Sequence, residues 1–397
     1  MRFRGPVRPR GTDPKEPNLS SNRQELDPVP SPTASGPAAN NPAIIRDPVG
    51  PEGLAQKRVD DADIAARIDQ LVRDVGGQPG TFDSDLVHEL VASGLKLIPD
   101  GRHTGELKLI TAAVKELRYA FRVFGKYPEP HKITIFGSAR TPKDHPDYAA
   151  TVEFSKLMAD SGWMVITGAG GGIMEAGLVG PGREKSFGVA IRLPFEQTTN
   201  EVIAGDSKLI TFRYFFTRKL MFISQAEAVA LFPGGFGTMD EAFELLTLVQ
   251  TGKASMVPIV LCQGKGETFW DEWLAFIKGG LLKRKWISEE DVHLFHICRS
   301  AEEARDHVLK FYSVYHSSRY VRDDLVIRLR RPLANADVQR LASTYARLIK
   351  SGTMVQRGPL EQENDNLHLP RLVFTHTRRE FGLVRKLIDD INECPQA

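Results

Sequence analysis

The chemistry-bearing residues of this 397-residue chain cluster beside small ones. In LFPGGFGTMDEAFELL, residues 231–246, Thr238 and Glu241 head an apolar helical pattern behind Gly234, Gly235 and Gly237. A carboxylate held there can accept a proton or stabilise a developing cation. The same T-x-x-E pattern is also a capping box, in which each side chain satisfies the other's backbone amide. Arg218 and Lys219, inside RYFFTRKLMF, can clamp an anion or form the solvated face of a core helix. Glu175, just after Met174, has the same two readings as Glu241.

Three turns surround these residues in the chain: FGSAR with Gly137 and Ser138, TGAGGGIMEAG with Gly170, Gly171 and Gly172, and FPGGFGTMDE. Glycine permits close backbone approach, and free amides at a helix start favour an anion, so three such turns point to a phosphate-bearing ligand. Each is alternatively a plain strand-to-helix turn. Gly168, Gly170 and Ile173 miss the third glycine of G-x-G-x-x-G, and no G-x-x-x-x-G-K-[ST] occurs. There is no H-E-x-x-H and no G-x-S-x-G. His293 and His296, downstream of Glu289, Glu290 and Asp291, match no ligand motif, and Cys262, Cys298 and Cys394 form no C-x-x-C pair. No metal and no cofactor are expected.

The elements that must position these residues change character along the chain. Residues 1–58, rich in Pro, Ser, Asn and Gly, read as a disordered tail. Residues 59–127 carry apolar residues at spacings of three and four, a helical lead-in. Over 128–312 short β-branched runs alternate with helical ones, and the runs 133–136, 164–167, 228–232 and 257–261 are nearly all apolar, as strands covered on both faces must be. That pattern predicts an α/β fold with a doubly wound, mostly parallel sheet. Residues 313–397 read as a small α/β appendix. Its Arg328, Arg330 and Arg331 with Arg378 and Arg379 form either a regulatory anion site or a solvated basic surface.

Lys plus Arg number 52 against 50 for Asp plus Glu, so charge gives no reason to expect nucleic acid or an acidic membrane as partner. The basic start MRFRGPVRPRG lacks an apolar segment behind it, and no run approaches a membrane span. With three scattered cysteines, a cytoplasmic location is expected.

Taken together the motifs resemble one family. PGGFGTMDE is similar to the P-G-G-x-G-T-x-x-E signature of the Lonely Guy (LOG) family, whose members are often mislabelled lysine decarboxylases, and TRKLM matches its R-K-x-x-M element. Gly170 to Met174 and FGSAR resemble its other two turns. The resemblance implies a Rossmann-like fold and hydrolysis of the N-glycosidic bond of nucleoside 5'-monophosphates to free base and ribose 5-phosphate. It implies that Arg218 and Glu241 carry catalysis, that Gly234 to Thr238 and the glycines at 170–172 hold the ribose phosphate, and that Lys219, Met174, Glu175 and Thr247 line the nucleotide site. Glu241, at a helix start, is then expected to be ionised and to act as base rather than acid.

GGGIMEAG and LPFEQTTN look like the longer bacterial branch, which places Glu196 or Gln197 near the sugar or base. A homodimer or larger homo-oligomer is implied, with the apolar faces of 103–127 and 214–226 as candidate interfaces. The alternative is a carrier that holds a nucleotide or molybdenum cofactor without cleaving it. Amino-acid decarboxylation would need a pyridoxal phosphate lysine, and none sits at a strand end in the glycine-rich cleft.

Overall fold

The structure is a computed structural model, and it describes residues 61–129, 131–193 and 200–396. The expected tail and the positions of Glu196 and Gln197 lie outside the described residues. The described residues divide into two compact units on either side of the junction between Leu109 and Ile110. In the first, α1 (Ala62–Asp74) starts at Asp61, whose carboxylate accepts the Asp63 amide. It pairs with α2 (Phe82–Lys96) through a bond of 2.8 Å between Asp69 and His88 Nδ1. A third helix, α3 (Thr104–Phe124), begins there and runs into the second unit.

The second unit is built on seven strands: β1 (Lys132–Phe136), β2 (Met164–Thr167), β3 (Ser186–Ile191), β4 (Leu209–Phe212), β5 (Ala228–Leu231), β6 (Ile259–Cys262) and β7 (His296–Cys298). Their order is β4-β3-β2-β1-β5-β6-β7, and every pairing is parallel. Helices α4 (Pro146–Asp160), α5 (Ile173–Val179), α6 (Phe215–Ser224), α7 (Phe236–Gln250), α8 (Phe269–Phe276) and α9 (Ala301–Phe311) make the crossovers. This is an α/β, Rossmann-like fold.

Successive residues of a strand face opposite sides, and here both sides are buried. Ile133, Ile135, Val165, Ala228 and Ala230 meet Phe154 and Met158 of α4 and Ala304 and Val308 of α9. Phe136, Ile166, Val229 and Leu231 belong to a larger core with Met221 and Phe222 of α6 and Leu245 and Val249 of α7. The nearly all-apolar runs are therefore a consequence of two helical layers.

The C-terminal elements are β8 (Tyr315–Val321), β9 (Asp324–Leu329), α10 (Asn335–Thr344), β10 (Ile349–Arg357), β11 (Arg371–His376) and α11 (Phe381–Asn392). The four strands form a separate antiparallel sheet in the order β10-β11-β9-β8. Leu387, Ile388 and Ile391 of α11 share one core with Val249 and Leu294, so the change of sheet is not a break in packing. Among the described residues no helix is long and apolar enough to cross a membrane.

Candidate active site at the carboxyl ends of the parallel strands

From β1 the sheet grows one way through β2 to β4 and the other way through β5 to β7, so the turns after β1 and β5 lead away from a switch point. A crevice opens at such a point beyond the carboxyl ends of the strands. Backbone bonds draw the three glycine-rich turns together there. The Ser138 amide donates to Pro233 O at 3.0 Å, and the Ile173 amide donates to Ser138 O at 3.0 Å. Gly172 sits at φ +59°, and a Cβ on it would lie 2.4 Å from Ser138 O. Only glycine lets the second turn lean so closely on the first.

The crevice is a cavity of about 820 Å³. Its wall includes Gly137, Ser138, Met174, Arg218, Gly234, Gly235, Gly237, Thr238 and Glu241. The other expected site residues stand elsewhere. Gly170, Gly171 and Gly172 are not on the wall, and Gly172 shapes the turn. Glu175 accepts from Lys143 Nζ at 2.8 Å. Thr247 is exposed, with its hydroxyl bonded back to Phe243 O at 2.7 Å, as side chains on a helix exterior often are.

Helix α7 starts earlier than the T-x-x-E pattern implies. Gly235 is its N-cap, and the Met239 amide donates to Gly235 O at 3.0 Å, so Thr238 is already helical and Glu241 falls in the second turn. The capping box is thus not formed. Instead, Glu241 Oε2 is buried without a hydrogen-bond partner among the described residues, on the cavity wall.

This also corrects the expected ionisation. Burial raises the Glu241 pKa to about 7, against the opposing pull of Lys219 and Arg218 and with a smaller push from Asp240 and Glu244. The helix dipole fades within the first turn, and desolvation of a carboxylate outweighs it. Glu241 is partly protonated at neutral pH, so it is not confined to the role of a fixed anion.

Arg218 reaches the cavity from α6. Its Nε donates to Val189 O at 2.8 Å, and the guanidinium carbon lies 5.1 Å from the centre of the Phe222 ring. Gly168 makes this possible, because a Cβ there would come within 2.4 Å of Arg218 Nη2. The start of α6 is held in turn by Glu116 of α3, which accepts from the Arg213 amide at 2.9 Å and the Thr217 hydroxyl at 2.7 Å.

Lys219 does not line the cavity. Its ammonium bridges to α7 through Asp240 at 2.7 Å and Glu244 at 2.5 Å. Burial works against its charge, but those two bonds more than compensate and its pKa lies above the ordinary lysine value. The lysine thereby ties the helix of Arg218 to the helix of Glu241.

Sequence reasoning overlooked several wall residues: Phe136, Gly168, Phe215, Phe222, Phe236, Met239, Asp240, Phe269 and Arg140. Arg140 was legible, standing at the end of FGSAR, whereas the phenylalanines read as ordinary core. The five arginines of the appendix do not converge. Arg328 is buried against Glu363 and Asp365, Arg331 donates to Cys394 O and Pro395 O, and Arg378 lies over Tyr320.

Residues 168–308 match the family model described as "possible lysine decarboxylase". This segment is similar to that family. The matched range holds Arg218, Glu241 and the second and third turns, while FGSAR precedes it. A search of the curated proteins found no match. Among solved structures, a molybdenum cofactor carrier protein from Chlamydomonas reinhardtii aligns at 17% identity over 46% of this chain and 98% of its own, with a TM-score of 0.33. A molybdenum cofactor binding protein from Rippkaea orientalis aligns at 20% identity over 44% and 93%, with a TM-score of 0.32. DNA processing protein A from Helicobacter pylori aligns at 12% identity over 48% and 83%, with a TM-score of 0.34.

Proposed function

We propose that the LOG-like domain hydrolyses the N-glycosidic bond of a nucleoside 5'-monophosphate, releasing the base and ribose 5-phosphate. The observation that carries this reading is Glu241 Oε2, buried and without a hydrogen-bond partner among the described residues, on the wall of a cavity that also receives Arg218 and the start of α7. The phosphate fits the amides at 235–238, where a helix N-terminus favours an anion. Arg218, always charged, fits the role of orienting the ribose phosphate.

Cleavage of the C–N bond leaves an oxocarbenium-like centre that Glu241, when ionised, stabilises while taking a proton from the attacking water. Oxygen bonds to the anomeric carbon, and the proton gained by Glu241 equals the one the departing base requires. A carboxyl whose pKa is about 7 can take and return that proton within a turnover.

Decarboxylation through a lysine Schiff base is disfavoured at Lys219, whose ammonium is held by Asp240 and Glu244 and resists losing its proton. A non-catalytic carrier is separated from a hydrolase by pairing calorimetry with product detection on the same nucleotide: binding followed by free base supports hydrolysis, and tight binding with an intact nucleotide supports carriage. We further propose self-association through α3 and α6, because Val114, Phe121, Phe215, Phe216 and Leu220 are exposed. Sedimentation showing only a 44 kDa species would refute that part.

A further inference from the structure

The sheet carries a second chemical cluster at its far edge. His296 and Cys298 stand two residues apart on edge strand β7, so their side chains leave the same face. That face is covered by α9, which begins at Ser300 and brings Glu303 over the strand. One nitrogen of His296, the Cys298 sulfur and one Glu303 oxygen all lie within 4.8 Å of one another.

Two of the donors are already aimed, while the Cys298 thiol donates to His296 O at 3.9 Å and turns to the metal on losing its proton. His296 Nε2 meets Glu303 Oε1 at 3.1 Å, while Glu303 Oε2 is occupied by the Arg299 amide at 2.6 Å, which fixes the carboxylate plane. The His296 ring is held from behind by His307, stacked at 4.3 Å with an interplanar angle of 4°. Cys298 is fully buried, and Cys262 is its register partner on β6. His307 is not available as a donor in the same way, because its Nε2 faces Arg385 Nη2 at 3.1 Å.

We propose that His296 Nε2, Cys298 Sγ and Glu303 Oε1 bind a borderline-soft divalent cation, with zinc the best fit, leaving one position for water. Imidazole, thiolate and carboxylate are the three zinc donors proteins use, and three protein ligands plus water complete a tetrahedron. The ion takes the place of the hydrogen bond between His296 and Glu303 and displaces the Cys298 thiol proton to solvent. Affinity therefore rises with pH. The half-exposed His296 and Glu303 give the ion a route in, and the ion pins the β7–α9 turn to the sheet edge. The spacing H-x-C-x-x-x-x-E matches no familiar ligand motif, because the third donor arrives from the helix that folds back over the strand.

The test uses the full chain, stripped with a chelator and titrated with zinc or with cobalt(II) alone. One equivalent should bind, and cobalt(II) should show a thiolate charge-transfer band that Cys298→Ser abolishes and Cys394→Ser leaves intact. Because Cys298 is a core residue, Glu303→Gln provides the second arm. It should fold with an unchanged circular dichroism spectrum and melting temperature in the metal-free state, yet bind at least about tenfold more weakly. Absence of the charge-transfer band in the unsubstituted protein would overturn the site. So would its loss in Cys394→Ser, or equal affinity in Glu303→Gln.

Discussion

Glu241 and Glu363 are both largely withdrawn from water and both near arginine, yet they are pushed in opposite directions. At Glu363 burial also opposes ionisation, but Arg371 and Arg328 side chains and the Leu360 amide all bond to the carboxylate and bring its pKa down to about 2. Arg328 Nη2 lies 2.7 Å and Arg371 Nε 3.0 Å from its oxygens, and the side chain has no exposure. At Glu241 the cations act at a distance, one oxygen has no bond, and the pKa goes up to about 7. A saturated buried carboxylate holds a loop onto the antiparallel sheet; an unsaturated one beside a cavity has spare capacity for a proton. Bonding, more than burial or nearby charge, separates the two.

Breaking the saturated site should give the largest effect. Glu363→Ala leaves buried Arg371 without a carboxylate and Arg328 with Asp365 alone, and is expected to cost about 3–5 kcal/mol in urea unfolding. Activity per folded molecule should be retained. Glu241→Gln should do the reverse, with at least about a hundredfold loss of turnover and no loss of stability, read by kinetics and unfolding on one preparation.

The two glutamates also predict opposite pH dependences. Between the ordinary value of 4.5 and about 7, the folded chain binds more protons at Glu241 than the unfolded chain does, so this residue's contribution to stability falls as pH rises through that window. Glu241→Gln should therefore gain about 1–3 kcal/mol at pH 8 relative to the unsubstituted protein. Glu363 is depressed, so its contribution is complete above 4.5 and is lost as pH falls toward about 2. Equal melting curves for Glu241→Gln and the unsubstituted protein at pH 8 would contradict the buried-carboxylate account.

The smallest effect is expected at Lys219, which orients helices and does not line the cavity. Lys219→Met should cost about 0.5–1 kcal/mol of stability and lower turnover severalfold by loosening α6 against α7. A loss as deep as that of Glu241→Gln would instead place Lys219 in the chemistry.

The parallel sheet was legible because strands buried on both faces leave nearly all-apolar runs such as 133–136 and 228–232. The converging turns were legible too, since glycine-rich strand-to-helix junctions have few other uses at three places in one sheet. The state of Glu241 was not. It depends on α7 beginning behind a Gly235 N-cap and on the burial of Glu241 Oε2 at the cavity wall, and neither is written in T-x-x-E. Glu116 was hidden for a different reason: it holds the start of α6 from 97 residues away. Strand β8 escaped notice because YHSSRYV is polar and only partly buried.

The central claim is that Glu241 accepts a proton during glycosidic hydrolysis. The most direct test measures ribose 5-phosphate release from a panel of nucleoside 5'-monophosphates by the unsubstituted chain and by Glu241→Gln, from pH 5 to 9. The expected result is stoichiometric free base and ribose 5-phosphate, with kcat/KM rising through a single ionisation near about 7 that disappears, along with most of the rate, in Glu241→Gln. No release from any nucleotide, or release that survives unchanged in Glu241→Gln, would contradict the account.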